Sequence, residues 1–107
     1  MAETITVNID LPTDNVDILS GTLLDPIPSP GAVLIYLASS QRDGIMSCTG
    51  PGIVGAYRVP PVLRTNGIPD LSADMPTIVP VPGGKLIISY DEVTAGDAFA
   101  TVIFIPR

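Results

Sequence analysis

The last quarter of the sequence contains a segment that is apolar on both of its faces if it forms a strand. One face of residues 97–105 carries Ala98, Ala100, Val102 and Phe104, and the other carries Phe99, Thr101, Ile103 and Ile105. A strand with one side in water alternates apolar with polar side chains, so a strand that is apolar on both sides must be covered on both. We therefore expect a second sheet, a loop or another subunit to cover each face.

A second β-rich run, residues 85–93, precedes this segment and is joined to it by Thr94-Ala95-Gly96. A short connection that contains glycine is typical of an antiparallel hairpin. The two runs are therefore predicted to pair with each other.

Short strands are predicted along the rest of the chain. Residues 3–11 alternate as a strand with one wet side, and residues 32–39 are apolar on both faces, as in a central strand. Asp25–Gly31 is a stiff connector because three prolines fix its backbone. Turns are predicted at 12–15 and at Asn66-Gly67, and one helical turn at 70–75. Further strands are predicted at 16–24, 45–49, 53–59, 62–65 and 77–81. The strand at 45–49 is expected to form a hairpin with 32–39. The strand at 77–81 is expected at a sheet edge because it contains Pro80.

Seven to nine short strands with little or no helix predict an all-β fold. We expect one domain, residues 1–107, built as an antiparallel β-sandwich or a jelly-roll-like small barrel. A chain of this size buries a core without disulfides or metal.

The composition favours an assembled protein. Charged residues make up 15% of the chain, against roughly 25% in typical proteins, and the mean hydropathy is positive. A chain with so few charges has a largely uncharged surface. Such a chain stays soluble more easily if part of that surface is buried in a homo-oligomer or against a larger partner as a docked subunit. The alternative is a monomer covered by Thr, Ser, Pro, Gly and backbone.

Several functional classes are disfavoured. The net charge is -6 and the five basic residues are dispersed, so neither nucleic acid nor an anionic membrane is expected as a partner. Histidine is absent, which excludes Ser-His-Asp and Cys-His catalysis.

Cys48 is a lone cysteine and is predicted to be a small buried side chain. The letters of Gly50–Gly55 match a dinucleotide fingerprint, but the residues that follow cannot form the required helix, so we interpret them as a β turn.

Carboxylates beside predicted turns offer one further possibility. Asp91, Glu92 and Asp97 surround one connection, and Asp14 and Asp17 another. Such groups could hold calcium or act as an acid and base pair, but we interpret them as solvated turn charges. No catalytic, cofactor-binding or metal-binding residue is assigned, and no enzyme activity is predicted.

The residues expected at an interface are those of the second face of the last strand, together with a tyrosine from the run before it. They are Phe99, Thr101, Ile103, Ile105 and Tyr90. We expect them to contact another copy, in a trimer, or a larger shell.

The whole chain resembles the small all-β structural proteins of tailed-phage particles, especially capsid decoration or cement proteins and related capsid or fibre modules. The resemblance rests on the start at Met1, which lacks an export signal, on the connector Asp25–Gly31, and on the C-terminal run ending Thr101-Val-Ile-Phe-Ile-Pro106. It implies a non-enzymatic subunit of the virion, often trimeric, that is assembled in the host cytoplasm and reinforces a capsid surface. The main alternative is a small cytoplasmic binding module whose loops hold a peptide, sugar or small ligand, and an enzyme ranks third.

Overall fold

The chain forms two β-sheets that share one apolar core. The computed structural model describes residues 4–11, 14–15, 17–41, 44–50, 53, 55–92 and 96–107, with 14 and 15 by backbone alone. Its strands are β1 (Ile5–Asp10), β2 (Asp14–Asn15), β3 (Gly31–Ser39), β4 (Ile45–Thr49), β5 (Tyr57–Val59), β6 (Val62–Leu63), β7 (Thr77–Val81), β8 (Ile87–Asp91) and β9 (Ala98–Pro106). The predicted all-β fold is confirmed.

Sheet A contains the two longest strands. Its order is β1-β9-β3, and the far edge of β3 is shared by β7, which pairs with residues 31–35, and by β6, which pairs with residues 38–39. All of these pairs are antiparallel except β3–β6, which is parallel. Residues 31–39 thus form the central strand that their two apolar faces predicted.

Sheet B has the order β2-β8-β4-β5 and is antiparallel throughout. Because successive side chains alternate between the faces of a strand, each sheet turns one row inward. The inward rows of β3 and β9 meet those of β4 and β8 in a single core, which includes Val33, Ile35, Met46, Ile88, Val102 and Phe104. The two sheets therefore pack as a sandwich.

The predicted hairpin between the last two runs is wrong. Strand β8 pairs with β2 and β4 in sheet B, whereas β9 pairs with β1 and β3 in sheet A. Both edges of each strand are already occupied, so the connection 92–97 passes from one sheet to the other. The predicted pairing of 45–49 with 32–39 is wrong for the same reason, because β4 lies in sheet B.

The predicted strand at 16–24 is also wrong over its described part. Residues 17–25 form consecutive turns, in which the Ser20 N–H donates to the Asp17 carbonyl and the Thr22 N–H donates to the Leu19 carbonyl. Gly21 has a φ of 80°, which suits a turn rather than a strand. The apolar side chains of this segment enter the core from the turns, as Leu19 and Leu24 do, and so give a strand-like pattern without a strand.

Three of the smaller predictions concern turns. The turn at Asn66-Gly67 is confirmed, with Gly67 at φ 67° and its N–H donating to the Arg64 carbonyl. The single turn at 70–75 is confirmed by a bond from the Asp74 N–H to the Asp70 carbonyl. Of the turn predicted at 12–15, residues 14–15 instead form β2, and residues 12 and 13 lie outside the described part.

Candidate association surface

The two faces of β9 have different surroundings. The inward residues Ala98, Ala100, Val102 and Phe104 are all buried in the core. On the outward face Phe99 and Ile103 are half-buried, and Ile105 is 44% exposed. Within one chain, the sandwich therefore covers one apolar face of β9 completely and leaves the other partly exposed.

The neighbours of β9 extend this outward face. Leu34 of β3 lies opposite Ile103, and Ile78 of β7 lies opposite Leu34 and is 59% exposed. Since residues directly opposite each other share a face, these side chains form one row across three strands. We call the outward set the outer patch: Leu34, Tyr36, Ile78, Phe99, Ile103 and Ile105.

A polar border runs along one side of the outer patch. The outward residues of β1, and Thr4 just before it, are exposed and polar: Thr4, Thr6, Asn8 and Asp10. Thr6 lies opposite Ile103 and Asp10 lies opposite Phe99, so the apolar surface ends where β9 meets β1. An apolar centre with a polar rim is the usual anatomy of a protein interface.

Thr101 has a supporting position within this surface. It is 3% exposed, and its hydroxyl donates to the Asn8 Oδ1 at 2.9 Å. This bond satisfies a buried hydroxyl and joins β9 to the rim strand. The structure thus places Phe99, Ile103 and Ile105 together on the accessible face, with Thr101 buried between them.

Tyr90, the fifth predicted interface residue, is not on this surface. It lies on the inward face of β8, is 1% exposed, and donates its hydroxyl to the Glu92 Oε2 at 2.5 Å. Gly44 allows this packing, because a Cβ there would lie 2.5 Å from the Tyr90 hydroxyl oxygen. Tyr90 is therefore a core residue of the single chain.

Glu92 has a role that the sequence reading missed. The prediction that it is a solvated turn charge is wrong, because it is 4% exposed and accepts hydrogen bonds from the Tyr90 hydroxyl and the Gly96 N–H. These bonds tie the start of the 92–97 connection to its end. The one available signal was the spacing of two residues from Tyr90, which places both side chains on the same side of an extended chain.

The other predicted carboxylates lie in different surroundings. Asp17 forms an ion pair with Lys85, and Asp97 is exposed at the start of β9. The backbones of Asp14 and Asp91 lie opposite each other in the β2–β8 pair. Over the residues that the structure describes, no three acidic or cysteine side chains come close enough to hold a metal ion.

Cys48 lies on the inward face of β4 and is fully buried, as predicted. Burial disfavours the thiolate and raises the pKa of the Cys48 thiol to about 11. The thiol is therefore protonated near neutral pH.

A groove of about 800 Å³ lies beside sheet A, along the segment between β6 and β7. Its lining includes Leu63, Ile68 and Leu71, each about half exposed. Arg64 also lines it and forms an ion pair with Asp74, and the donated hydrogen bond lowers the pKa of the Asp74 carboxyl. No sequence pattern predicts this groove, because two of its three apolar residues, Ile68 and Leu71, come from a loop with no regular period.

No family model, no curated protein and no solved structure matches this chain. Within the described part of the chain, no helix has the length and hydropathy needed to cross a bilayer.

Proposed function

We propose that this protein is a non-enzymatic structural subunit that self-associates through the outer patch. The observation that carries the proposal is the row of Ile78, Leu34 and Ile103, an apolar stripe on the outside of sheet A. Single exposed apolar residues are ordinary, but a contiguous set bordered by polar residues is characteristic of contact surfaces. A neighbouring subunit that covers the stripe would remove it from water.

The charge distribution supports the same proposal. The chain carries a net charge of -6, so two copies repel each other over most of their surface. The outer patch contains no charged side chain, and the acidic residues beside it, Asp10 and Asp97, lie at its border near Phe99. Contact between copies through the patch itself therefore brings no charged side chains of the patch together.

In its more specific form, the proposal follows the resemblance to virion proteins. We propose a capsid decoration or cement subunit that forms a trimer and packs on the shell of a phage particle. A gene position between those for portal, capsid and tail proteins would support this form, and a position among unrelated metabolic genes would count against it.

The experiment for self-association is light scattering coupled to size exclusion. The wild-type protein is expected to have the mass of an oligomer, and Ile103→Asp is expected to weaken association at least about tenfold because it places a carboxylate in the buried contact. Ile87→Asp is the matched control, since Ile87 is 38% exposed on the outward face of sheet B. A monomeric wild type, or equal loss of mass in both variants, would contradict the proposal.

The groove beside sheet A favours a second candidate function. Its three apolar side chains and Arg64 could hold an extended apolar peptide or small ligand, as in a binding module. In that case the wild type would be a monomer, and Leu71→Asp would abolish ligand binding while Ile103→Asp would not. The contrast between these two variants separates the two functions.

A further inference from the structure

The two edges of sheet A are protected to different degrees. The β7 edge has Pro76 just before it, Pro80 within it and Pro82 just after it, and proline blocks pairing because it has no N–H. At the opposite edge, β1 contains no proline and has a single charge, Asp10, at its end. Among the described residues, β1 pairs with β9 alone, so its other side is open.

The direction of the β1 backbone groups follows from one hydrogen bond. The Leu11 N–H donates to the Ala98 carbonyl at 3.0 Å, in the same register that pairs Ile9 with Ala100 and Val7 with Val102. In an antiparallel ladder the hydrogen-bonded pairs alternate. Odd-numbered residues of β1 therefore bond to β9, and the N–H and C=O groups of Thr6 and Asn8 point out of the sheet.

The side chains along this edge are incompletely covered. Ile5, Val7 and Ile9 face the core and pack against it, yet each is only half-buried, in contrast to the inward residues of β9. The core is thus open on the β1 side. A strand added there would bond to the outward backbone groups and cover these three side chains.

We propose that the added strand is β1 of a second copy, paired antiparallel about a two-fold axis at Val7. The two cores then lie on the same side of a continuous sheet. In this register Val7 lies opposite Val7 of the other copy, Ile5 opposite Ile9, Thr6 opposite Asn8, and Thr4 opposite Asp10. Every position from 4 to 10 is paired.

Charge and pairing favour this occupant and this register. An axis at Val7 places each Asp10 opposite a threonine, whereas an axis at Asp10 would place two carboxylates opposite each other. An axis at Ile5 or Ile9 would leave several outward backbone groups unpaired. Residues 4–9 are uncharged in a chain of net charge -6, so the strand can approach an identical strand without repulsion.

This contact is separate from the outer patch. It uses the edge of sheet A, whereas the outer patch uses its face, so the two contacts can form together and extend an assembly in two directions. Stable interfaces bury roughly 1,200–2,000 Å², and a ladder of seven residues buries less area than that. We therefore expect this contact to be weak when it forms alone.

Disulfide trapping tests the register. At the axis, Val7 forms a non-hydrogen-bonded pair with Cα atoms about 4.5 Å apart, within the range of about 4.4–6.8 Å for a disulfide. Val7→Cys is expected to give a covalent dimer on mild oxidation. Ile9→Cys is the matched control: Ile9 has the same face and similar burial, but in this register it lies opposite Ile5. The wild type controls for Cys48, which is buried.

We expect Val7→Cys to cross-link at least about fivefold faster than Ile9→Cys, given the distance that a disulfide requires. Equal rates, or no dimer from Val7→Cys while its thermal unfolding shows a folded protein, would overturn the proposal. Adding Ile103→Asp to Val7→Cys should leave the cross-link in place. This combination distinguishes the edge contact from the outer patch.

Thr6→Pro provides a second measurement. Because the Thr6 N–H points away from β9, proline there removes no bond within the chain but blocks the open edge. In the Val7→Cys background it is expected to slow cross-linking at least about fivefold, with thermal unfolding close to that of Val7→Cys. An unchanged cross-linking rate would contradict pairing through this edge.

Discussion

The outward faces of the two sheets carry different side chains. On sheet A the central strands present Leu34, Ile103 and Ile105, and the adjacent β7 adds Ile78. On sheet B the central position is occupied by Ser47, which lies between Ser89 and Arg58, and Ile87 and Ile45 are placed towards the ends. Sheet B thus has the mixed polar surface expected of a sheet facing water.

This difference shows which apolar residues the fold itself requires. Both sheets contribute their inward rows to the same core, so sheet B demonstrates that an outward face can be polar in this sandwich without loss of the core. The apolar residues on the outside of sheet A are therefore available for a contact outside the chain. Substitutions at inward and outward positions should therefore separate the residues needed for folding from those available for contact.

The largest expected effect concerns the two faces of β9. Phe104→Ala removes a fully buried side chain and should lower the free energy of unfolding by about 3–5 kcal/mol. Ile105→Ala, on the adjacent outward position, should lower it by less than about 1 kcal/mol. Urea unfolding at low protein concentration measures both. Equal losses would show that the outer patch is needed for folding and would remove the contrast with sheet B.

An intermediate effect is expected where the chain crosses between the sheets. Tyr90→Phe removes the hydroxyl that donates to the Glu92 Oε2, and a buried oxygen without this donor costs about 1–3 kcal/mol. Tyr57→Phe is the control, since Tyr57 is 40% exposed, and it should change stability by less than about 0.5 kcal/mol. If both variants unfold at the same urea concentration as the wild type, Glu92 does not anchor the connection.

The smallest effect is expected at Lys85, just before β8 of sheet B. Its ammonium group donates to Asp25 and also pairs with Asp17, and the bond to Asp25 lowers the pKa of that carboxyl below its ordinary value of 3.8. A lowered carboxyl pKa stabilises the folded state above the unfolded pKa, and this stability is lost as the pH falls through the folded pKa.

Lys85→Gln should therefore reduce the fall in melting temperature between pH 7 and pH 3 compared with the wild type. Arg58→Gln is the control, because Arg58 is exposed on the outward face of sheet B. An acid-induced fall in Lys85→Gln as large as in the wild type would mean that this ion pair makes no net contribution. A contribution to stability close to zero lies at the lower end of the range for exposed ion pairs.

Much of the fold could be predicted from local patterns. The alternation of residues 3–11 located β1 and its wet side, and the double apolar pattern of 32–39 located the central strand β3. The last run is a strand with two apolar faces, as its pattern predicts, and its outward residues Phe99, Ile103 and Ile105 remain partly exposed within one chain. These features depend on residues close in sequence, for which a period of two is sufficient information.

Strand partners could not be predicted in the same way. The alternation of side chains in β8 is compatible both with a hairpin with β9 and with a position in the opposite sheet. In either arrangement the same side chains of β8 would face the core. The prediction that Tyr90 lies at an interface is wrong, because its side chain shares the inward face of β8 with Ile88. Pairing in opposite sheets is accompanied by contacts that no local pattern shows, such as the hydrogen bond from the Gly96 N–H to Glu92, which joins the two ends of the connection.

The sequence by itself determined that the chain is all-β, where most strands lie and which side chains are apolar, since these follow from backbone preference and side-chain period. The tertiary structure alone decided that the last two strands belong to opposite sheets, that Glu92 is buried, and that Ile78 joins Leu34 and Ile103 on one surface. The physical reason is that pairing and burial depend on residues far apart in the chain, whose packing must be satisfied together rather than segment by segment.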